Sequence, residues 1–164
     1  MLFRSVDAAN GAILVQWDDD DLYAPDRIAV QRAALGNHDA AFLERWMLWQ
    51  PSRLRLGISM RRVWEGSVMV RRSAMPRYPS LAIGEDHHVT QHLCAEHDVV
   101  LIDAPRLYVY TAHGNNTCGP RHFEQLYANA TRQFEFGDYD NALKELELTL
   151  PVIAYANAID RRAH

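Results

Sequence analysis

At 164 residues, 48% of them hydrophobic and including four Trp and seven Tyr, the chain has the apolar content of one globular domain with a real core, not of a disordered segment. A formal net charge of −4 and a pI near 6.0 argue against a nucleic-acid partner, because nucleic-acid binders are normally basic. Cys94 and Cys118 form neither a metal-ligand spacing nor a disulfide framework.

The opening residues end in Asn10-Gly11, a turn signal, and 5–10 read as the end of a helix stopped by Gly11. Residues 12–17 read as a buried strand, short and apolar apart from Gln16. Four carboxylates follow, Asp18, Asp19, Asp20 and Asp21, and then Pro25-Asp26. That pair suits a helix start, where the missing proline N–H costs nothing and a carboxylate complements the dipole. The acidic cluster therefore sits on a turn at the carboxyl end of a strand, the edge where open α/β sheets bind ligands. Adjacent carboxylates repel, and a hard cation such as Mg²⁺ or Mn²⁺ offsets this while bridging to substrate phosphates. A solvated acidic turn is the plain alternative. An EF-hand loop fails, because Leu22 falls on a ligand position and no glycine follows.

Residues 25–35 predict a helix with Ile28, Gln31 or Arg32, and Leu35 on one face, ended by Gly36. Residues 39–49 read as one strand. In 53–60, Leu54, Leu56, Ile58 and Met60 alternate with Arg53, Arg55 and Ser59, as in a half-buried strand. Trp64-Glu65-Gly66-Ser67 leads into a strand at 68–72. A helix is predicted over 87–97, with Val89 and Leu93 one turn apart, then strands at 99–102 and 107–111. Phe123, Leu126, Tyr127, Ala130 and Phe134 predict an amphipathic helix ending at Gly137, and a last helix spans 139–150 before Pro151. There is no internal repeat. The expected class is α/β: a mixed sheet with flanking helices and a helical carboxyl-terminal tail.

Two further clusters carry chemistry. Glu85-Asp86 opens a helix after a loop with Pro76, Pro79 and Gly84; such a pair either complements the dipole or supplies a general base. His113-Gly114-Asn115-Asn116-Thr117 is a tight loop whose backbone can approach a ligand. His87, His88 and His92 raise the question of zinc, but no His-Glu-x-x-His pattern exists. Trp46 and Trp49 read as packing residues, and Trp64 as core or as a stacking face for a sugar.

Trp17-Asp18-Asp19-Asp20-Asp21, with Pro25-Asp26-Arg27-Ile28 and Gln31, resembles the inverting family 2 glycosyltransferases of the GT-A fold. In them a strand, an Asp-x-Asp turn and a helix hold the nucleotide-sugar and its metal. The resemblance extends to Glu85-Asp86 and to the histidine loop, in the family's order. It implies a Rossmann-like fold and transfer from a nucleotide-diphospho-sugar to an unidentified carbohydrate, lipid-linked or protein acceptor, with Mn²⁺ or Mg²⁺. By position it implies metal ligation by Asp20, Asp18 and His113. It makes Asp86 the base that takes the acceptor proton, with Glu85 its neighbour. Asp18, Asp19, Trp64, Glu65, Gly66 and Asn116 fall on the substrate side, while Asp21 caps the turn. Residues 1–120 become the catalytic portion and 121–164 a helical extension packed on it. The family's amino-terminal nucleotide-binding units are missing, so the chain reads as a carboxyl-terminal portion whose uncovered sheet edge favours self-association. No signal peptide and no transmembrane stretch are expected, which places the chain in the cytoplasm or at the inner face of the membrane. The rival readings are a non-catalytic remnant or metal-binding module, and a metal-dependent hydrolase.

Overall fold

The structure is a computed structural model that describes residues 2–79, 84–114 and 116–162. In chain order these form α1 (Leu2–Ala8), β1 (Ile13–Val15), β2 (Leu22–Tyr23), α2 (Arg27–Leu35), β3 (Ala40–Leu43) and β4 (Met47–Gln50). Next come β5 (Arg55–Ile58), β6 (Met69–Arg71), α3 (Glu85–Glu96), β7 (Val99–Ile102) and β8 (Tyr108–Thr111). The chain ends in α4 (Pro120–Ala128), β9 (Arg132–Phe134), α5 (Gly137–Glu147) and α6 (Val152–Arg162). The class is mixed α/β, as expected, but with two mixed sheets, β1-β6-β3-β7 and β2-β8-β4-β5-β9. Each belongs to its own compact unit. The first unit takes the chain up to Asp18, Ile28–Glu44 and Arg62–Asp103; the second takes Asp19–Arg27, Arg45–Arg61 and the chain from Ala104. Residues 121–164 thus share a unit with three earlier segments.

In the first unit β3 is the central strand, antiparallel to β6 and parallel to β7, and all four of its residues are fully buried. Successive side chains of a strand point to opposite faces. Ala40 and Phe42 accordingly pack with Val89 and Leu93 of α3, whereas Ala41 packs with Leu35 of α2 and Met69. Helices cover both faces, which explains why the short run Ala-Ala-Phe-Leu carries no polar alternation. β1 pairs with β6 alone, so among the described residues its other edge meets no strand.

In the second unit β4 lies between β8 (parallel) and β5 (antiparallel). Met47, Trp49, Leu56, Val109 and Phe134 form one core with Tyr139 and Leu146 of α5 and with Leu150 and Val152. Trp49 Nε1 donates to Tyr139 Oη at 3.1 Å, so its buried polar edge is satisfied. The opposite face of β5 requires a glycine. A Cβ on Gly57 would stand 3.1 Å from the Arg132 carbonyl oxygen and 3.2 Å from the Tyr127 ring.

Several sequence expectations need correcting. The single strand at 39–49 is two strands, β3 and β4, in different sheets; Glu44-Arg45 interrupts the run, and the Trp46 N–H leaves for Ser59 Oγ at 2.8 Å. The strand at 53–60 begins only at Arg55. Pro51 opens a 3₁₀ turn that ends on Leu54 in the left-handed region (φ 51°), 64% exposed instead of buried. Ser59, assigned to the polar side of that strand, is buried. The helix from Phe123 stops at Ala128: the Thr131 N–H bonds the Ile58 carbonyl, Phe134 lies in β9, and Gly137 starts α5 instead of ending a helix. Pro25 precedes α2 in a turn, and beyond Pro151 the chain re-enters a helix, α6. Among the described residues no helix is long and apolar enough to cross a membrane.

Candidate functional site

The two units each hold one group of the candidate residues. In the second unit the acidic turn leads into β2, and its last member is drawn inward. Asp21 is buried; its carboxylate accepts from Tyr108 Oη at 2.6 Å and from the Thr111 N–H at 2.8 Å. That makes it the tie between the turn and β8, where sequence reading expected a cap on the turn itself. Arg27 is equally buried, its guanidinium 4.4 Å from the Tyr23 ring centroid and 5.2 Å from that of Tyr108. Asp19 points outward and is exposed.

Asp20 meets the histidine loop. Its Oδ2 lies 2.9 Å from His113 Nε2, and its backbone carbonyl accepts a hydrogen bond from Tyr155 Oη of α6. The His113 backbone N–H donates to Asn116 Oδ1 at 2.9 Å, so the other end of that amide is Nδ2. Nδ2 donates to the Thr111 carbonyl at 2.9 Å and stands 2.9 Å from His113 Nε2. Asp20 Oδ2 and Asn116 Nδ2 thus both address Nε2, which donates to Asp20 in one tautomer and accepts from Asn116 in the other. Gly114 permits the turn with φ 84°. Asn116 is therefore committed to shaping this loop, although sequence reading assigned it to substrate. Tyr110 lies nearby; burial above all, then Cys118, Asp21 and Asp20, push its hydroxyl pKa far up.

In the first unit Glu85 and Asp86 begin α3 behind Gly84 (φ 78°), and Asp86 Oδ1 accepts from the His87 N–H at 3.0 Å. Tyr78, in Pro76-Arg77-Tyr78-Pro79, belongs to no motif. Burial raises its pKa, and the charges of Asp86, Glu85 and Asp18 raise it further. The phenol thus feels the charges of both Asp18 and the Glu-Asp pair. A tyrosine flanked by prolines just before an acidic helix start is the only trace in the sequence.

Trp64 is 2% exposed and carries the Arg62 guanidinium 4.2 Å from its ring centroid, so it is a core residue and offers no face to a sugar. Gly66 and Ser67 are also buried. Ser67 Oγ donates to the Trp64 carbonyl at 2.6 Å and accepts from the Leu43 N–H at 2.9 Å, while its carbonyl accepts from Gln31 Nε2 at 2.8 Å. The Trp-Glu-Gly-Ser turn is thus an anchor for β6, and only Glu65 emerges, paired with Arg62 and 3.3 Å from His87 Nδ1. Among the described residues no three His, Cys, Asp or Glu side chains are grouped as metal ligands, so Asp20 and His113 are a pair without a third such partner. The chain matches no protein-family model and no curated protein.

Proposed function

We propose that the chain is the carboxyl-terminal portion of an inverting family 2 glycosyltransferase of the GT-A fold. It would transfer a sugar from a nucleotide-diphospho-sugar with the help of Mn²⁺ or Mg²⁺. The observation that carries this reading is the Asp20–His113 pair. It sets a carboxylate oxygen 2.9 Å from an imidazole nitrogen, two groups that could each ligate a divalent cation. Two protein ligands suffice for such an ion, because substrate phosphates and water complete its shell. Imidazole favours Mn²⁺ over Mg²⁺.

The metal, when bound, stabilises the departing diphosphate. The residues do the rest. Asp20 and His113 would hold the ion, and Asn116 braces the histidine loop through the His113 backbone N–H and the Thr111 carbonyl. Asp86 takes the proton of the acceptor hydroxyl, with Glu85 and Tyr78 beside it. Asp18 lies on the ribose and donor-sugar side. Among the described residues the edge of β1 away from β6 meets no strand, which leaves it able to pair with another chain. A metal-binding module without transferase activity is the second reading, favoured by the seating of Asp86 Oδ1 on its own helix N-terminus.

Thermal unfolding with and without Mn²⁺ tests the site, because a ligand of the folded state raises the melting temperature. Asp20→Asn should abolish the shift. An unchanged response in Asp20→Asn removes that residue from the site. A scan of nucleotide-sugars for Mn²⁺-dependent hydrolysis or transfer separates the transferase from the module. There Asp86→Asn should lower turnover and leave nucleotide affinity nearly unchanged.

A further inference from the structure

The first unit contains a surface that the proposed transfer does not use, the outer edge of β1. The ladder with β6 fixes which backbone groups lie on that edge. The Gln16 N–H bonds the Val68 carbonyl, and the Arg72 N–H bonds the Ala12 carbonyl. In an antiparallel pair, residues that exchange hydrogen bonds alternate with residues that do not. Ala12, Leu14 and Gln16 therefore face β6, and the N–H and C=O of Ile13 and Val15 point the other way. Among the described residues no strand takes them up. All three residues of β1 are only partly buried, whereas β3 in the middle of the sheet is fully buried.

Two features say what such an edge accepts. A hollow of about 280 Å³ lies against the strand, walled by Val6, Ala9, Leu14, Val70 and Met75, so an incoming strand must be apolar on that face. The two ends of β1 also differ in charge. Asp18 follows its carboxyl end. At its amino end the Arg72 guanidinium donates to the carbonyls of Ala9 and Gly11, neutral groups that leave its positive charge in place. The edge therefore suits an antiparallel strand with an apolar middle and an acidic group where it reaches Arg72. β1 has this composition itself, Ile-Leu-Val followed within three residues by Asp18.

We propose that this edge binds a second copy of the chain, β1 to β1, across a two-fold axis at Leu14. Ile13 of each copy exchanges both backbone hydrogen bonds with Val15 of the other, which satisfies every outward group of the strand. The two Leu14 residues form the non-hydrogen-bonded pair on the axis, with Cα atoms about 4.5 Å apart. The same register sets Trp17, 51% exposed, beside Gly11 of the other copy, where no side chain competes for the space. It sets Asp18 beside Asn10, between the two carbonyls that hold Arg72. A parallel pairing in register would set Asp18 against Asp18. The antiparallel contact is isologous and closes at two copies. It does not depend on the Asp20–His113 metal reading.

Analytical ultracentrifugation of the full chain, from micromolar to millimolar concentration, tests the pairing. A monomer–dimer equilibrium is expected, and it should weaken as salt screens Asp18 from Arg72. Val15→Pro removes only an outward N–H, which an edge strand tolerates. It deletes two of the four hydrogen bonds between copies and should weaken the dimer by roughly tenfold or more. Disulfide trapping guards against a proline variant that fails to fold, and it reads the register. In a chain carrying Cys94→Ser and Cys118→Ser, Leu14→Cys should cross-link under mild oxidation, because Cα atoms about 4.5 Å apart suit a disulfide. Ile13→Cys should not, since its symmetry mate stands roughly 7–8 Å away on the diagonal, beyond disulfide reach. A chain that stays monomeric to millimolar concentration overturns the proposal, as does a species larger than a dimer. A dimer unchanged in a folded Val15→Pro variant overturns it, and so does Leu14→Cys cross-linking no better than Ile13→Cys.

Discussion

Asp21→Ala would remove the carboxylate that ties the acidic turn to β8. The wild-type carboxylate is buried and accepts two hydrogen bonds, from Tyr108 Oη at 2.6 Å and from the Thr111 N–H at 2.8 Å. Both donors sit on buried residues and would lose this acceptor, and each buried donor left without one costs about 1–3 kcal/mol. Because the turn can relax and admit water to one of them, the sum should be about 3 kcal/mol. For a chain of this length that corresponds to a fall of roughly 6–12 °C in melting temperature. Urea unfolding of Asp21→Ala, Tyr108→Phe and the double variant measures the coupling directly. The double variant should lose about 1–2 kcal/mol less than the two single losses added together, because one shared hydrogen bond is counted twice. A single Asp21→Ala loss below about 0.5 kcal/mol would refute the tether, and so would strict additivity.

Gly57→Ala should destabilise by about 1–3 kcal/mol in urea unfolding, since the new methyl meets a backbone carbonyl that cannot swing aside; a neutral result would mean β9 shifts freely. Trp64→Ala should cost about 3–5 kcal/mol, and Trp17→Ala, at 51% exposure, no more than about 0.5 kcal/mol; the same unfolding experiment should rank them in that order. Alkaline pH should unfold the protein progressively above pH 10. Burial raises the pKa of Tyr78, Tyr110, Tyr127 and Tyr139, with Tyr127 pushed up to about 12. Between the unfolded value of 10.0 and the folded one, the unfolded chain loses protons that the folded chain keeps, so stability falls as pH rises through that window. Each group contributes about 1.4 kcal/mol per pH unit, and Tyr127→Phe should make the decline shallower by that amount up to about pH 12. A urea midpoint constant between pH 9 and 11 would contradict this.

The elements that sequence located well are those with punctuation. Gly36 and Gly84 bound their helices with positive φ, and the acidic first turn of α3 complements its dipole. Where tertiary pairing overrode the local pattern, sequence was misleading. The spacing of Phe123, Leu126, Tyr127, Ala130 and Phe134 continues a helical period, yet Phe134 is buried because β9 pairs with β5, a contact far away in sequence. The run 39–49 could not announce that its halves feed two sheets, since both halves are equally buried and apolar. For the site, Asp20 and His113 could be named separately, but their juxtaposition needs the turn after β1 and the loop after β8 to meet. Trp64 failed as a sugar platform because an aromatic in a turn reads the same whether the turn faces solvent or core. Tyr78 carries no motif, and only burial and neighbours mark it.

Electron paramagnetic resonance of Mn²⁺ tests the central claim most directly. With one equivalent of chain, the free-ion signal should fall, and it should fall further when a nucleoside diphosphate is added, because phosphate oxygens complete the shell of an ion held by Asp20 and His113. Asp20→Asn and His113→Ala should each restore the free signal, while Asp19→Asn, at the exposed position beside them, should not. A free-ion signal that the chain leaves unchanged, or one that falls equally with wild type and both site variants, would contradict the account.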